Sequence, residues 1–401
     1  SRFRARQEGT GWHSHVTTPC NTMTCRASSS KSLQRLGALS QQFRSVACSG
    51  TEGVAVGYIS ELALYPVKSC GAVLVSAATA EATGLVVRLG SGEVVRDRMF
   101  MVVDQTNSAV TQRMAPGLAT VSTHLTATGL LLTAPGAPQP LAVALNAQDR
   151  APRECTLYAQ KVNCLDCGDE AAAWFSEILT RDGRVTNAST APPYRLVRLG
   201  EGEQRLCSAS FLAPLAEGKV EKHDAASFSD FSPLLITATA SLDDLNNRVT
   251  AVGDGAGAVA MNRFRPNLVI RTSQPWEEDS WSGLVCGEGS VGIHCMMRCP
   301  RCVIPTVDQA TGVAGYAEAL AAGDGRFMQS RFAEPLRTLK KFRSLSNRLG
   351  VIGRLPPESG GVGGTKADVS PLFGVYAGFD EVGGALRVGD IARAVVRGEA
   401  A

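Results

Sequence analysis

The side chains best suited to chemistry lie in Arg298-Cys299-Pro300-Arg301-Cys302. A thiolate, rather than a thiol, attacks electrophiles and binds soft metals, and two guanidinium groups interleaved with the cysteines favour that charged form. Cys302 precedes Val303-Ile304-Pro305-Thr306-Val307-Asp308, so it is expected at a loop–strand junction, held more rigidly than a loop tip. The CxxC spacing serves equally a dithiol redox couple, half of a zinc site or a buried structural pair, and the motif alone leaves all three open. A second pair, Cys164 and Cys167, has no cation beside it in sequence and reads as structural. The two pairs stand too far apart for one zinc ribbon, and the five histidines form no helix-spaced metal pair.

Three further clusters carry charge or hydroxyls. In Tyr65-Pro66-Val67-Lys68-Ser69-Cys70-Gly71 an ammonium, a hydroxyl and exposed amides follow an alternating apolar run, a combination able to hold a phosphate at a strand end. Arg96-Asp97-Arg98 and Arg263-Phe264-Arg265-Pro266-Asn267 add forked donors. Each is weak alone; together they can line a pocket for an anion.

The elements that must position these groups read as mostly strands. Val54, Val56, Tyr58, Leu62, Leu64 and Val67 alternate with small or polar residues, and Leu85 to Leu89, Met99 to Val103, Val121 to Leu125 and Leu130 to Thr133 follow, bounded by Gly, Pro and Asn. Asp169 is expected to cap an amphipathic helix carrying Trp174, Phe175, Ile178 and Leu179 on one face, with Gly183 as its stop. After the connector Ser189 to Pro193, Tyr194 to Leu199 resumes a strand, which sets a domain boundary near residue 190. Ser241 with Asp244 is expected to form a variant capping box for a helix through Leu242, Leu245 and Val249. Leu268-Val269-Ile270 reads as a buried strand. Glu334-Pro335 opens a basic helix with Leu336, Leu339 and Phe342 opposite Arg337, Lys341 and Arg348. Residues 350–364 form a Gly-rich loop, and Ala385 to Asp390 belongs to the closing strands.

Composition bounds the rest. With 401 residues and 44% apolar side chains the chain can close a sizeable core, which excludes a disordered or collagen-like reading. The net charge of +3 is too small to argue for a polyanion-binding surface. Its distribution is uneven: the first 50 residues carry seven basic side chains against the single acid Glu8, so the remainder is slightly acidic. That Ser/Thr-rich, acid-poor leader resembles an organelle transit peptide and is expected to be disordered. The longest uncharged stretch, Met114 to Gln148, is interrupted by four prolines and does not qualify as a membrane span. Twelve cysteines, mostly isolated among apolar neighbours, fit a reduced environment.

The ordered blocks YPVKSC (from Tyr65), RDRMF (Arg96), FSDFSPLLI (Phe228), NRFRPNLVI (Asn262), RCPRCVIPTVDQATG (Arg298) and SPLFGVY (Ser370) resemble the MOSC superfamily of molybdenum-cofactor sulfurase C-terminal domains. More narrowly they are similar to the mitochondrial amidoxime-reducing component family. The resemblance runs from about Gly53 to the C-terminus. It implies a β-rich α+β fold: a leader at 1–50, a barrel-like MOSC N-terminal domain over 53–190, and a MOSC β-barrel domain with peripheral helices over 191–401. It also implies a molybdopterin cofactor, with Cys302 as the catalytic thiolate ligand to molybdenum, a soft ligand suited to the role. Cofactor contacts are implied for Lys68, Ser69, Arg98, Phe231, Ser232, Arg265, Asn267, Pro300, Arg301, Cys302 and Tyr376. Phe231 and Pro300 depart from the family pattern, standing where a small hydroxyl and a small polar residue are usual. The apolar anchor of animal members has no counterpart in the leader, so outer-membrane residence is not carried over; a mitochondrial or other organellar location is implied, with the cytoplasm as the alternative.

The activity implied is reduction of N-hydroxylated compounds such as amidoximes, hydroxylamines and N-hydroxylated base analogues, with nitrite as a further oxygen donor. No CxxCH haem motif occurs, and electrons are expected to arrive from outside. The resemblance implies cytochrome b5 and NADH-cytochrome b5 reductase, for which the basic helix at 335–348, with Arg337, Lys340, Lys341 and Arg343, offers a docking face. The alternative from another class is a carrier or maturation protein that binds the cofactor without turnover.

Overall fold

The computed structural model describes residues 53–146, 150–185, 190–206, 225–287, 291–323, 326–344 and 370–396. The leader at 1–50, Arg348 and the Gly-rich loop at 350–364 lie outside them.

Seven strands close a barrel: β1 (Val54–Leu64), β2 (Leu234–Ala238), β3 (Leu268–Thr272), β4 (Trp281–Cys286), β5 (Val291–Pro300), β6 (Leu372–Phe379) and β7 (Ile391–Val396). They run in the order β3-β2-β6-β5-β4-β7-β1, and β1 pairs back onto β3 with Leu62 opposite Leu268. Alternate residues point inward, so Ile59, Ile236, Ile270, Leu284, Ile293 and Val375 meet in one core. Closure leaves no free sheet edge within this set of strands. At the β1–β3 seam Gly57 (φ 154°) is obligatory, because a Cβ there would lie 1.8 Å from the Arg271 carbonyl oxygen.

Only β2 and β3 are parallel, and the helix α2 (Thr239–Thr250) makes the crossover between them. The helix is where the sequence places it, but its start is not a capping box. Ala238 is the N-cap, and the Ser241 hydroxyl instead accepts from Trp276 N–H (2.7 Å) and donates to Glu278 Oε2 (2.8 Å). Likewise α1 (Asp169–Asp182) begins after Gly168, so Asp169 is its first residue and not its cap; Gly183 in the left-handed region ends it as expected.

A four-stranded sheet (Pro152–Leu157, Gln160–Asp166, Arg195–Leu199, Phe100–Val103) backs α1, and Ala385–Arg387 pairs with Ala77–Glu81. Sheets are therefore assembled from both sides of residue 190: β1 joins the C-terminal barrel, and Arg195–Leu199 joins strands of the N-terminal half. No helix among the described residues is long and apolar enough to cross a membrane.

The basic helix α3 (Leu336–Phe342) buries Leu336 and Leu339 as its pattern predicts. Its cations are not a free row. Arg337 is paired with Glu334 Oε1 at 2.6 Å and with Asp254, and Arg343, just past the helix end, is fully buried against Asp279. Of the four basic residues expected at a docking face, Arg337 and Arg343 hold the fold together instead.

Candidate functional site

At one end of the barrel, β1 runs into Tyr65-Pro66-Val67-Lys68-Ser69. Val67 bridges to Phe100, and the Lys68 amide donates to the Phe100 carbonyl (2.7 Å). The Arg96-Asp97-Arg98 turn packs alongside: the Arg98 amide bonds Tyr65 O (2.8 Å), and Asp97 Oδ1 accepts from the Tyr65 amide (2.8 Å). Phe264-Arg265-Pro266-Asn267 leads into β3 from the other side, and the Asn267 side chain ties these segments to β2 by accepting from Arg98 Nη1 (3.1 Å) and Leu235 N–H (3.2 Å) while donating to Ala63 O (3.1 Å).

Arg98 and Arg265 both place their guanidinium carbon 4.3 Å from the centroid of the buried Tyr65 ring, whose π-faces offset part of the cost of holding two cations close together. Ser69 (φ 69°), Arg98 (φ 48°) and Arg265 (φ 58°) all adopt left-handed backbone. Such conformations cost about 1–3 kcal/mol each and gather where surrounding structure fixes a binding group.

The cysteine loop is positioned by the end of β5. Two register shifts, between Cys295 and Met297 and between Arg298 and Pro300, re-aim the strand, and Gly374 (φ 74°) on β6 permits the close approach to β2, where a Cβ would lie 2.6 Å from Ile236 O. A strand therefore precedes Cys302, not follows it; Ile304–Thr306 is a 3-10 turn. Cys302 is exposed and Cys299 buried. Cys299 accepts from Arg301 Nη1 (3.0 Å), and burial pushes its thiol pKa up despite that guanidinium. Arg298 turns away to Asp279, 3.5 Å distant. A cation close enough to interact with Cys302 is Arg113, which the sequence alone does not point to.

All eleven residues singled out from the sequence, Lys68, Ser69, Arg98, Phe231, Ser232, Arg265, Asn267, Pro300, Arg301, Cys302 and Tyr376, line one open cleft. Thr111, Arg113, Tyr158, Ser229 and Asp230 join them. Asp230 stood unremarked inside the FSDFSP block. Tyr158 and Arg113 come from segments whose only signals were a two-residue break between alternating runs and a polar triplet after a strand. Tyr158 and Ala159 (φ 50° and 64°) form the hairpin turn joining Pro152–Leu157 to Gln160–Asp166, which carries the tyrosine to the cleft.

The cleft is strongly cationic: Lys68, Arg98, Arg113, Arg265 and Arg301 against Asp230 alone. Asp230 pairs with Lys68 and lies 3.7 Å from Arg113, and these cations hold its carboxyl well below the usual carboxylate range in spite of burial. Burial acts against the Lys68 ammonium, lowering its pKa to about 8 even with Asp230 beside it. Arg98 is neutralised by Asp97 beneath it. Among the described residues neither Arg265 nor Arg301 has a carboxylate partner, and Arg265 Nη2, Arg301 Nε and Ser229 Oγ are buried without a hydrogen bond. Such donors are costly unless an acceptor enters the cleft.

One consequence concerns pH. Because Lys68 must keep its proton to attract an anion and loses it above about pH 8, the affinity of the ligand-free cleft for sulfate, whose charge is constant over the range, should fall about tenfold between about pH 7 and about pH 9.5. Titration calorimetry on the protein and on Lys68→Met checks this: the variant should bind weakly with a flatter profile, and an unchanged fall would assign the titration elsewhere.

The second CxxC pair does not line this cleft. Arg150 does approach Cys167 (3.3 Å), a cation the sequence did not foretell, yet burial pushes that thiol up to about 12.

A closed barrel bearing a cation-lined cleft and one exposed cysteine is the setting of a MOSC protein, and family models agree: residues 56–182 match the MOSC N-terminal beta barrel domain and residues 223–393 the MOSC domain. Within that class, the chain belongs to the mitochondrial amidoxime-reducing component family. It is 32% identical over 335 residues to mitochondrial amidoxime reducing component 2 of Bos taurus, covering 84% of this chain and 82% of that protein. To mitochondrial amidoxime-reducing component 1 of Homo sapiens it is 33% identical over 335 residues, with the same coverage of 84% and 82%. A solution structure from Bordetella bronchiseptica overlaps 28% of this chain and 79% of its own at 23% identity and a TM-score of 0.23, too slight a likeness to bear on the fold.

Proposed function

We propose that the protein is a molybdenum-cofactor-dependent reductase of N-hydroxylated compounds, the reading its membership of this family supports. The observation that carries it is the meeting, in one cleft, of an exposed thiol with guanidinium groups that lack carboxylate partners. Among the described residues no group of three or more His, Cys, Asp or Glu side chains could hold a metal ion, so a metal at Cys302 must bring most of its own ligands. A pterin dithiolene bearing a phosphate does so, and its charge suits the donor set.

When bound, the cofactor supplies oxygen removal from an N–O bond at the cost of two electrons and two protons. The protein holds and orients it. Lys68, Arg98 and Arg265 bind its anionic end through charge-assisted hydrogen bonds, with Ser69 and Ser232 beside them. Asn267 fixes Arg98; Arg301 and the Tyr376 phenol, whose pKa burial keeps well above its ordinary value, act as donors near the sulfur, and Phe231 and Pro300 contribute backbone. Cys302 provides the metal's protein ligand. Asp230, ionised and clamped between Lys68 and Arg113, keeps both cations in place. Electrons come from cytochrome b5 and its NADH-dependent reductase, and the site of action is an organelle, the mitochondrion being the one named in the relatives. Amidoximes and hydroxylamines are the substrate class, with N-hydroxylated base analogues and nitrite as further members.

The test is metal and pterin analysis of the purified protein followed by steady-state reduction of benzamidoxime with NADH, cytochrome b5 and its reductase. Stoichiometric molybdenum with turnover supports the proposal. Cofactor that passes to an acceptor protein without turnover makes the chain a carrier, and absence of molybdenum from fully folded protein overturns both.

A further inference from the structure

Along one wall of the cleft run three aromatic rings from three separate parts of the chain: Tyr158 at the hairpin tip, Phe231 in the loop before β2, and Tyr376 on β6. Tyr158 and Phe231 lie nearly parallel, with centroids 6.1 Å apart and planes 18° from coplanar. Phe231 meets Tyr376 edge-on at 6.0 Å and 65°. The outer ring is not loose: the Tyr158 hydroxyl donates to Asp230 Oδ1 (2.8 Å) and accepts from Arg113 Nη2 (3.1 Å). Arg113 and Cys302 line the same cleft as the wall. With 38% of its surface exposed, Tyr158 also marks the mouth of the cleft.

We propose that Tyr158 and Phe231 form a stacking wall that makes the site selective for flat, conjugated N-hydroxylated substrates over compact ones. This rests on the reductase reading above. The anchoring of both rings means that a planar substrate meets a surface already ordered, with little rotamer freedom left to lose. An arene conjugated with its amidoxime group is flat and presents a π-face, and offset stacking on an aromatic surface adds attraction beyond the area covered. A methyl group in the same place gains contact area alone.

Benzamidoxime and acetamidoxime share the reacting C(=NOH)NH₂ group and differ in phenyl against methyl, so the ratio of their kcat/KM values isolates the wall. Incomplete folding or cofactor loading of a variant cancels in that ratio. Phe231→Ser should lower the benzamidoxime preference roughly three- to tenfold, chiefly through KM. Phe231→Leu, which keeps bulk without a π-system, should lower it similarly, and Phe231→Tyr should retain it. An unchanged or increased ratio in Phe231→Ser, or full preference in Phe231→Leu, overturns the stacking wall. If molybdenum-loaded wild-type protein reduces neither amidoxime, the reductase reading itself fails and takes the wall with it; if it reduces both while the ratio does not move, the wall alone is wrong.

Discussion

Cys302→Ala is expected to reduce benzamidoxime at least about a hundredfold more slowly than the wild type while retaining most of its pterin. Even partners of metal ligands typically contribute 10–100-fold, and the ligand itself contributes more. Most contacts proposed for the cofactor lie on other segments, around Lys68, Arg98 and Arg265, so its organic part should still be held. Cys299→Ala should be milder, within several-fold. The two sulfurs are unlike: Cys302 is exposed beside Arg113, whereas Cys299 is buried, accepts from Arg301 and has its thiol pKa raised by burial. A dithiol couple needs both sulfurs, one to exchange with the external partner and the other to close the disulfide. Equal and complete loss from the two substitutions would therefore favour that couple, and persistence of activity in Cys302→Ala would remove the ligand assignment. Parallel measurements of turnover and of extracted pterin separate a lost ligand from a lost cofactor.

What the sequence made legible follows from the range over which each signal acts. Strand periodicity is local, and Leu268-Val269-Ile270, the run from Val54 and the strand after Pro193 all fall where it puts them. The glycine stop of α1 needs only a left-handed residue at position 183, and that too is local. Ser241 fails as a cap because a tertiary competitor wins its hydroxyl: the Trp276 amide and Glu278 offer it partners 35 and 37 residues away. Adjacency in sequence puts Arg298 beside the cysteines, but alternation along β5 sends neighbouring side chains to opposite faces, and Asp279 takes it. Arg113 and Tyr158 could not be placed at all without the pairing of the four-stranded sheet, since nothing within their own segments says which cleft the hairpin tip will reach. The cations of the cleft were legible as types; their shared geometry around the Tyr65 ring was not.

The largest loss of stability is expected from Arg343→Met, at a residue whose sequence context suggested a solvated docking face. The side chain is fully buried, lies 3.9 Å from the Trp276 ring centroid, forks onto Asp279 with Nη1 to Oδ2 at 2.9 Å and Nη2 to Oδ1 at 2.8 Å, and donates through Nε to Leu372 O at 3.2 Å. It thereby joins the end of α3 to the start of β6 and to the turn before β4. Next to Asp279, the buried Glu278 has its pKa pushed up to about 7, first by burial and then by the charge of its neighbour. Removing the guanidinium leaves Asp279 without its forked partner beside a second acid, and breaking a buried pair from one side costs about 3–5 kcal/mol. Methionine retains much of the packing volume, so the loss should report charge more than cavity. Arg343→Met is expected to lower the urea midpoint of unfolding sharply, and the double change with Asp279→Leu should recover part of the difference, because the buried carboxylate, left with the more distant Arg298 in place of its fork, goes with it. A single variant as stable as the wild type, or a double variant that loses the sum of both single costs, would mean that the pair is not what binds these three segments together.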